Sequence, residues 1–114
     1  MTENITKEIT TIVDALEDKK GTDISVLDLS KVSDVTDCFV ICSGSNRSQI
    51  QALADGVEEA LGRKGIHHRG IEGYDTANWI LIDYGDFVVH VFDKDSRDMY
   101  DLERVWGDAD KVQI

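Results

Sequence analysis

Two stretches of this chain are apolar at consecutive rather than alternate positions, which limits the fold more than any other feature does. The first is Cys38-Phe39-Val40-Ile41-Cys42, within Thr36–Ser45, and the second runs from Trp79 to Phe92 and includes Trp79-Ile80-Leu81-Ile82 and Phe87-Val88-Val89-His90-Val91-Phe92. A strand with one wet face alternates apolar and polar residues, whereas an unbroken apolar run means that both faces are covered. The chain is therefore expected to be built around a sheet buried on both sides. Such a sheet usually has more helices than this sequence supplies, and the shortfall is where function is sought.

At 114 residues the chain is long enough for one domain with its own core. No apolar run approaches the ~20 residues needed to cross a bilayer. Met1-Thr2-Glu3-Asn4 has neither the basic start of a secretory signal nor the composition of a transit peptide, so a cytoplasmic address is expected. The formal net charge of −11 repels phosphates and anionic lipid heads. It suits a basic protein partner and, equally, plain solubility. Cys38 and Cys42 are four residues apart on one strand, roughly 13–14 Å. That is too far for a disulfide or a shared metal ion, and buried reduced thiols are expected.

Helical spacing of Ile5, Ile9, Ile12, Val13 and Leu16 predicts a first helix over residues 5–19, with Lys19 and Lys20 in its last turn and Gly21 as the stop. Strands are expected at 24–29 and 37–43. Asn46-Arg47-Ser48-Gln49 then reads as a capping box, and Ile50, Leu53, Ala54, Val57 and Leu61 form the stripe of a second helix closed by Gly65. A weak strand at 66–71 precedes a hairpin of strands 79–83 and 87–92 around Tyr84-Gly85. A third helix is expected from Ser96 to Trp106, capped by Asp95 or Ser96, with residues 107–114 as a loose tail after a domain at 1–106. The order α-β-β-α-β-β-β-α predicts a single α/β domain with a mixed five-stranded sheet. The passage through 37–71 is expected to form a parallel pair by a right-handed crossover.

Five strands at ~4.8 Å spacing make a sheet about 20 Å wide, and one helix covers roughly 10 Å. Both faces together need about four helices, and three are visible. Part of one face is expected to stay open and partly apolar, as a docking surface for another chain or for a second copy.

Several constellations could carry chemistry. The Ser43-Gly44-Ser45 turn before a helix could cradle an anion, although it lacks a P-loop lysine and the dinucleotide glycines; otherwise it is a tight capped turn. Asp37, Asp83, Asp86, Asp93 and Asp95 stand at strand ends, where two could hold magnesium or simply occupy turns. His67 and His68 point to opposite faces of a strand. His90, alone in an apolar strand, is either a hydrogen-bonded core residue or part of an interface. Trp79 is either core or an aromatic anchor. Arg97, Tyr100 and Glu103 share one stripe of the last helix, solvated or in contact with a partner.

The segments TDCFVICSGS, Gln49 to Leu53, GIEGYDTANWILIDYGDFVVHVF and SRDMYDLERVW together resemble the Iojap family, known in bacteria as ribosomal silencing factors or ribosome-associated factor S. The match runs from the first helix to Trp106. The resemblance implies a fold similar to nucleotidyltransferases but a non-enzymatic role, with no cofactor or metal. It implies binding to large-subunit ribosomal protein fourteen, a block on subunit joining, repression of translation, and homodimers when free. By position in the family pattern, Glu72, Trp79, Arg97 and Tyr100 are expected at the ribosomal contact, with Asp83, Asp86, His90 and Glu103 next. The rival expectation is a small nucleotide-binding or nucleotidyl-transfer enzyme using the Ser43-Gly44-Ser45 turn and the strand-end aspartates.

Overall fold

The computed structural model describes residues 3–113. Its elements run α1 (Glu3–Asp18), β1 (Thr22–Asp28), β2 (Cys38–Ser43), α2 (Arg47–Gly62), β3 (Gly70–Glu72), β4 (Trp79–Asp83), β5 (Phe87–Phe92), α3 (Lys94–Tyr100), α4 (Leu102–Val105) and β6 (Asp110–Val112). The sheet has six strands in the order β3-β4-β5-β2-β1-β6, one more than the sequence suggested. The extra strand lies in the expected loose tail. Asp110–Val112 pairs antiparallel with β1, and Val112 packs against the main core. One half-buried valine in a polar stretch is too little alternation to reveal a strand from sequence.

β2 and β5 are the parallel pair, in full register from Cys38–Phe87 to Ser43–Phe92; every other pairing is antiparallel. The crossover from β2 therefore ends two strands later than the first strand after α2. β3 is three residues long and lies at the sheet edge. The long apolar β5 takes the central place beside β2, with Val89 and Val91 in the main core on one face and Phe92 buried on the other.

α1 and α2 cover the same face of the sheet. Ile5, Ile9, Ile12, Val13 and Leu16 of α1 and Ile50, Leu53, Ala54, Val57 and Leu61 of α2 close on Val26, Val40, Ile80, Ile82, Val89 and Val91. Cys38 and Cys42 lie in this core as free thiols, and burial pushes both pKa values up to about 12. They remain protonated and unreactive. Gly21 stops α1 by size rather than by conformation. Lys20 takes the left-handed φ of 63°, while a Cβ on Gly21 would collide with the Cys42 sulfur.

The other face is covered only at one end. Leu27, Leu29, Ile41 and Phe92 are buried there, with Phe39, Trp79, Leu102, Trp106 and Ala109 packed around them. The single helix expected over 96–106 is broken. Asp93 caps α3 by accepting from the Ser96 N–H at 2.7 Å, and Asp101 turns left-handed at φ 45°. α4 then starts in a new direction, which an aspartate tolerates better than most residues. The break brings Trp106 edge-on to Phe39, with ring centroids 5.8 Å apart.

Candidate functional site: the open sheet face

Strand register defines the exposed surface. Directly paired residues share a face, so Glu72, Leu81, His90 and Ile41 form one row across four strands. Asp83, Val88, Phe39 and Leu27 form the next row, and Trp79 and Phe92 lie opposite each other. On this face, walled by the loop at 33–36, Arg69 and Trp106, is a groove of about 400 Å³. Its floor and walls include Phe39, Leu81, Val88, His90 and Trp106, and Val35, 89% exposed, stands on the rim. This is the incompletely covered, partly apolar face that the helix shortage predicted.

Of the expected contact residues, Trp79, His90 and Tyr100 are brought together. Trp79 is half-buried, stacked on Phe92 at 5.0 Å and tilted against Tyr100 at 4.6 Å. Its indole N–H donates to His90 Nδ1 at 3.0 Å. Desolvation in this aromatic cluster lowers the His90 pKa to about 3, so the ring is neutral and carries its proton on Nε2. Trp79 is therefore a half-buried, packed residue that reaches the groove through its hydrogen bond to His90.

Arg97 and Glu103 are engaged with each other. The Arg97 side chain is only 12% exposed. Its Nε and Nη2 donate to Glu103 Oε1 at 3.2 and 3.1 Å, and its Nη1 donates to Ser43 Oγ at 2.8 Å. The pair ties α3 and α4 to the end of β2, instead of forming a stripe on one continuous helix. Asp83 lines the groove, and its Oδ1 accepts from the Gly85 N–H at 2.8 Å to shape the hairpin turn. Asp86 is exposed in that turn and Glu72 is exposed at the end of β3.

The sequence reading missed Phe39, Leu81, Val88, Arg69 and Trp106 as groove residues. Strand parity carried the signal for three of them. Leu81 is two residues from Trp79, Val88 two from His90, and Phe39 is in register with Val88. Arg69 precedes β3, and its guanidinium lies over Gly85, whose left-handed φ of 86° favours glycine. No local pattern announces that contact.

The Ser43-Gly44-Ser45 turn is closed by its own chain. Gln49 Oε1 accepts from both the Ser45 N–H at 2.6 Å and its hydroxyl at 2.8 Å, and Asn46 Oδ1 accepts from the Gln49 N–H at 2.8 Å. Ser43 Oγ accepts from Arg97 and the Gly44 N–H donates to Phe92 O, so the side chains and amides of the turn itself are engaged within the chain. Among the described residues no set of three or more His, Cys, Asp or Glu side chains is arranged to hold a metal ion, and no helix is long and apolar enough to cross a membrane.

A family model described as ribosomal silencing factor during starvation matches residues 2–114. The chain belongs to the ribosomal silencing factor family. It is 46% identical over 95 residues to the ribosomal silencing factor of Bacillus subtilis, covering 83% of this chain and 80% of that protein. It is 43% identical over 102 residues to that of Halalkalibacterium halodurans, covering 90% and 87% of the two chains. A crystal structure of a Chromobacterium violaceum protein superposes with a TM-score of 0.88 at 39% identity, covering 90% of this chain and 86% of that one. Membership gives the chain a regulatory, ribosome-directed and non-catalytic role in silencing translation.

Proposed function

We propose that this ribosomal silencing factor represses translation by laying its open sheet face on large-subunit ribosomal protein fourteen, so that the small subunit cannot join. The observation that carries this reading is the aromatic and aliphatic groove of β2, β4 and β5, left uncovered where α1 and α2 occupy the opposite face. Trp79, hydrogen-bonded to His90 of the groove, and Tyr100 against it are the aromatic anchors beside it, the residue type that dominates binding energy at interfaces. Glu72 and Asp83 lie on the same face and supply acidic partners for a basic ribosomal protein. Arg97 and Glu103 act indirectly, by holding α3 and α4 where Tyr100 meets Trp79. In free solution the same apolar face supports a homodimer. The cytoplasm, where ribosomes assemble on messenger RNA, is the site of action.

Sucrose-gradient sedimentation with purified subunits tests the reading. The protein is expected with free large subunits and absent from joined ribosomes, and adding it is expected to prevent joining. Recovery with small subunits, or with joined ribosomes, would contradict it.

A further inference from the structure

Among the described residues, the large apolar side chains left at the surface fall in two segments: Val32 and Val35 before β2, and Met99, Tyr100 and Val105 on α3 and α4. Val35 is the most exposed of them, and of the five it alone lines the groove. Its loop is tied down. Ser33 Oγ accepts from the N–H groups of Val35 and Thr36 at 3.1 and 3.4 Å, and the Leu29 N–H donates to the Asp37 carbonyl at 2.8 Å. The Leu29 carbonyl in turn accepts from the N–H groups of Val32 and Ser33. The chain thus fixes in place a valine that folding does not bury. A side chain held in this way loses little freedom when a partner covers it.

The charges beside Val35 narrow the choice of occupant. The Asp37 N–H donates to the Asp86 carbonyl at 2.9 Å, which sets the loop against the β4–β5 turn. Asp34 and Asp37 of the loop therefore stand near Asp83 and Asp86 of the hairpin, and Arg69 is the cation of the groove lining. Four carboxylates against one guanidinium attract positive charge, while the valine and the apolar walls of the groove take an aliphatic group. Trp79 opens β4 and Asp83 ends it, so this end of the face lies about 13 Å along the strand from the aromatic anchors. Resting on the docking proposed above, we infer that Val35 is a second anchor of the docked face, covered by an aliphatic side chain that the ribosomal partner carries between lysine or arginine residues. Trp79 and Tyr100 hold one end of the partner and Val35 the other, and the basic residues beside the aliphatic one meet Asp34 and Asp86.

Val35→Ser removes the apolar contact and Val35→Ile keeps it. Asp34→Asn combined with Asp86→Asn removes two exposed charges. Val105→Ser is the control, an exposed valine that does not line the groove. Each is titrated against large subunits and against isolated ribosomal protein fourteen, beside wild type and Trp79→Ala, with thermal unfolding of each. Val35, Asp34, Asp86 and Val105 are all exposed, so these variants are expected to melt as wild type does. Val35→Ser is expected to bind about five- to tenfold more weakly, because part of a valine is no longer withdrawn from water on docking. Val35→Ile and Val105→Ser are expected to bind as wild type. The double aspartate variant is expected to associate with the isolated protein about two- to fivefold more slowly at low salt. An equal loss in Val105→Ser overturns the inference, since binding then follows exposed apolar area and not the place of Val35. Unchanged association of the double aspartate variant overturns the basic flanks of the occupant. If wild type binds, Trp79→Ala does not, and Val35→Ser binds normally, the inference falls while the docking reading stands. Failure of wild type to bind overturns both.

Discussion

The Trp79 indole N–H reaches His90 Nδ1 diagonally across the β4–β5 pair, at 3.0 Å, although the residue directly opposite Trp79 is Phe92. This bond fixes both the tautomer of the histidine and the tilt of the tryptophan. It thereby links packing of the covered end of the sheet to the open end.

Replacing Trp79 by phenylalanine keeps an aromatic ring on Phe92 but leaves Nδ1 buried without a donor, at an expected cost of about 1–2 kcal/mol in folding. Trp79→Ala also loses the contacts with Phe92 and Tyr100. For a half-buried ring this is expected to cost about 2–3 kcal/mol, below the ~3–5 kcal/mol of a fully enclosed one. Ribosome binding by the alanine variant should fall by more than ~2 kcal/mol. Urea denaturation and titration with large subunits separate the two effects. Normal binding by the folded fraction of Trp79→Ala would make Trp79 a packing residue only.

His90 also makes stability depend on pH. Its native pKa, about 3, lies below the unfolded value of ~6.5, because burial among Phe39, Trp79 and Phe92 opposes the charged form. Between these values the unfolded chain binds a proton that the native site refuses. Stability is therefore complete above pH ~6.5 and is lost as pH falls toward 3, at about 1.4 kcal/mol per pH unit from this group alone. At pH 5 the loss is on the order of 2 kcal/mol. Urea midpoints of wild type and His90→Asn should converge as pH falls from 7 to 5. A constant difference would show that His90 is protonated in the native state.

The sequence made the central sheet legible because β2, β4 and β5 are apolar without interruption, and α1 and α2 because their stripes are regular. Counting helices against sheet width located an open face without locating its residues. What stayed hidden depends on contacts between distant segments. The left-handed Asp101 breaks a helix whose apolar spacing looked continuous, and Arg97 finds Ser43 fifty-four residues away. β6 becomes a strand only because β1 offers it a free edge. Glu72, Trp79 and His90 shared no motif; pairing of β3, β4 and β5 places them on one face.

The Arg97–Glu103 pair should show strong coupling for an ion pair at a surface. With Arg97 12% exposed and Glu103 33%, the interaction is partly shielded from solvent, and two nitrogens of one guanidinium share a single carboxylate oxygen. A double-mutant cycle of Arg97→Met and Glu103→Gln is expected to give about 1 kcal/mol or more. The exposed Lys94–Asp98 pair should give roughly 0–0.5 kcal/mol. Equal coupling for both pairs would remove Arg97 as the tie between α3–α4 and β2.

Removing residues 108–114 tests whether β6 is structural. The truncation withdraws the strand paired to Val26, Leu27 and Asp28 and uncovers the outer edge of β1. The expected loss is about 1–3 kcal/mol, with increased self-association through the bared edge. Circular dichroism melts and sedimentation at several concentrations provide the check. An unchanged melting temperature would return this segment to the status of a tail.

Glu72 tests the electrostatic half of docking. It is exposed at the end of β3, in register with Leu81 and thus beside the groove rather than within it. A side chain there contributes little to packing, so Glu72→Lys should fold normally while reversing a charge that faces an approaching basic protein. Association with isolated ribosomal protein fourteen, followed by stopped flow, is expected to slow about two- to fivefold at low salt. Raising ionic strength to ~0.15 M screens exposed charges over ~8 Å and should slow wild type more than the variant, with dissociation nearly unchanged. Intact large subunits require a separate measurement, because ribosomal RNA phosphates repel the same acidic chain and salt relieves that repulsion. On subunits, salt can therefore act in the opposite direction without contradicting attraction between the two proteins. A wild-type rate with the isolated partner that is flat against salt would show that the groove and Trp79 suffice, leaving the acidic charge a matter of solubility alone.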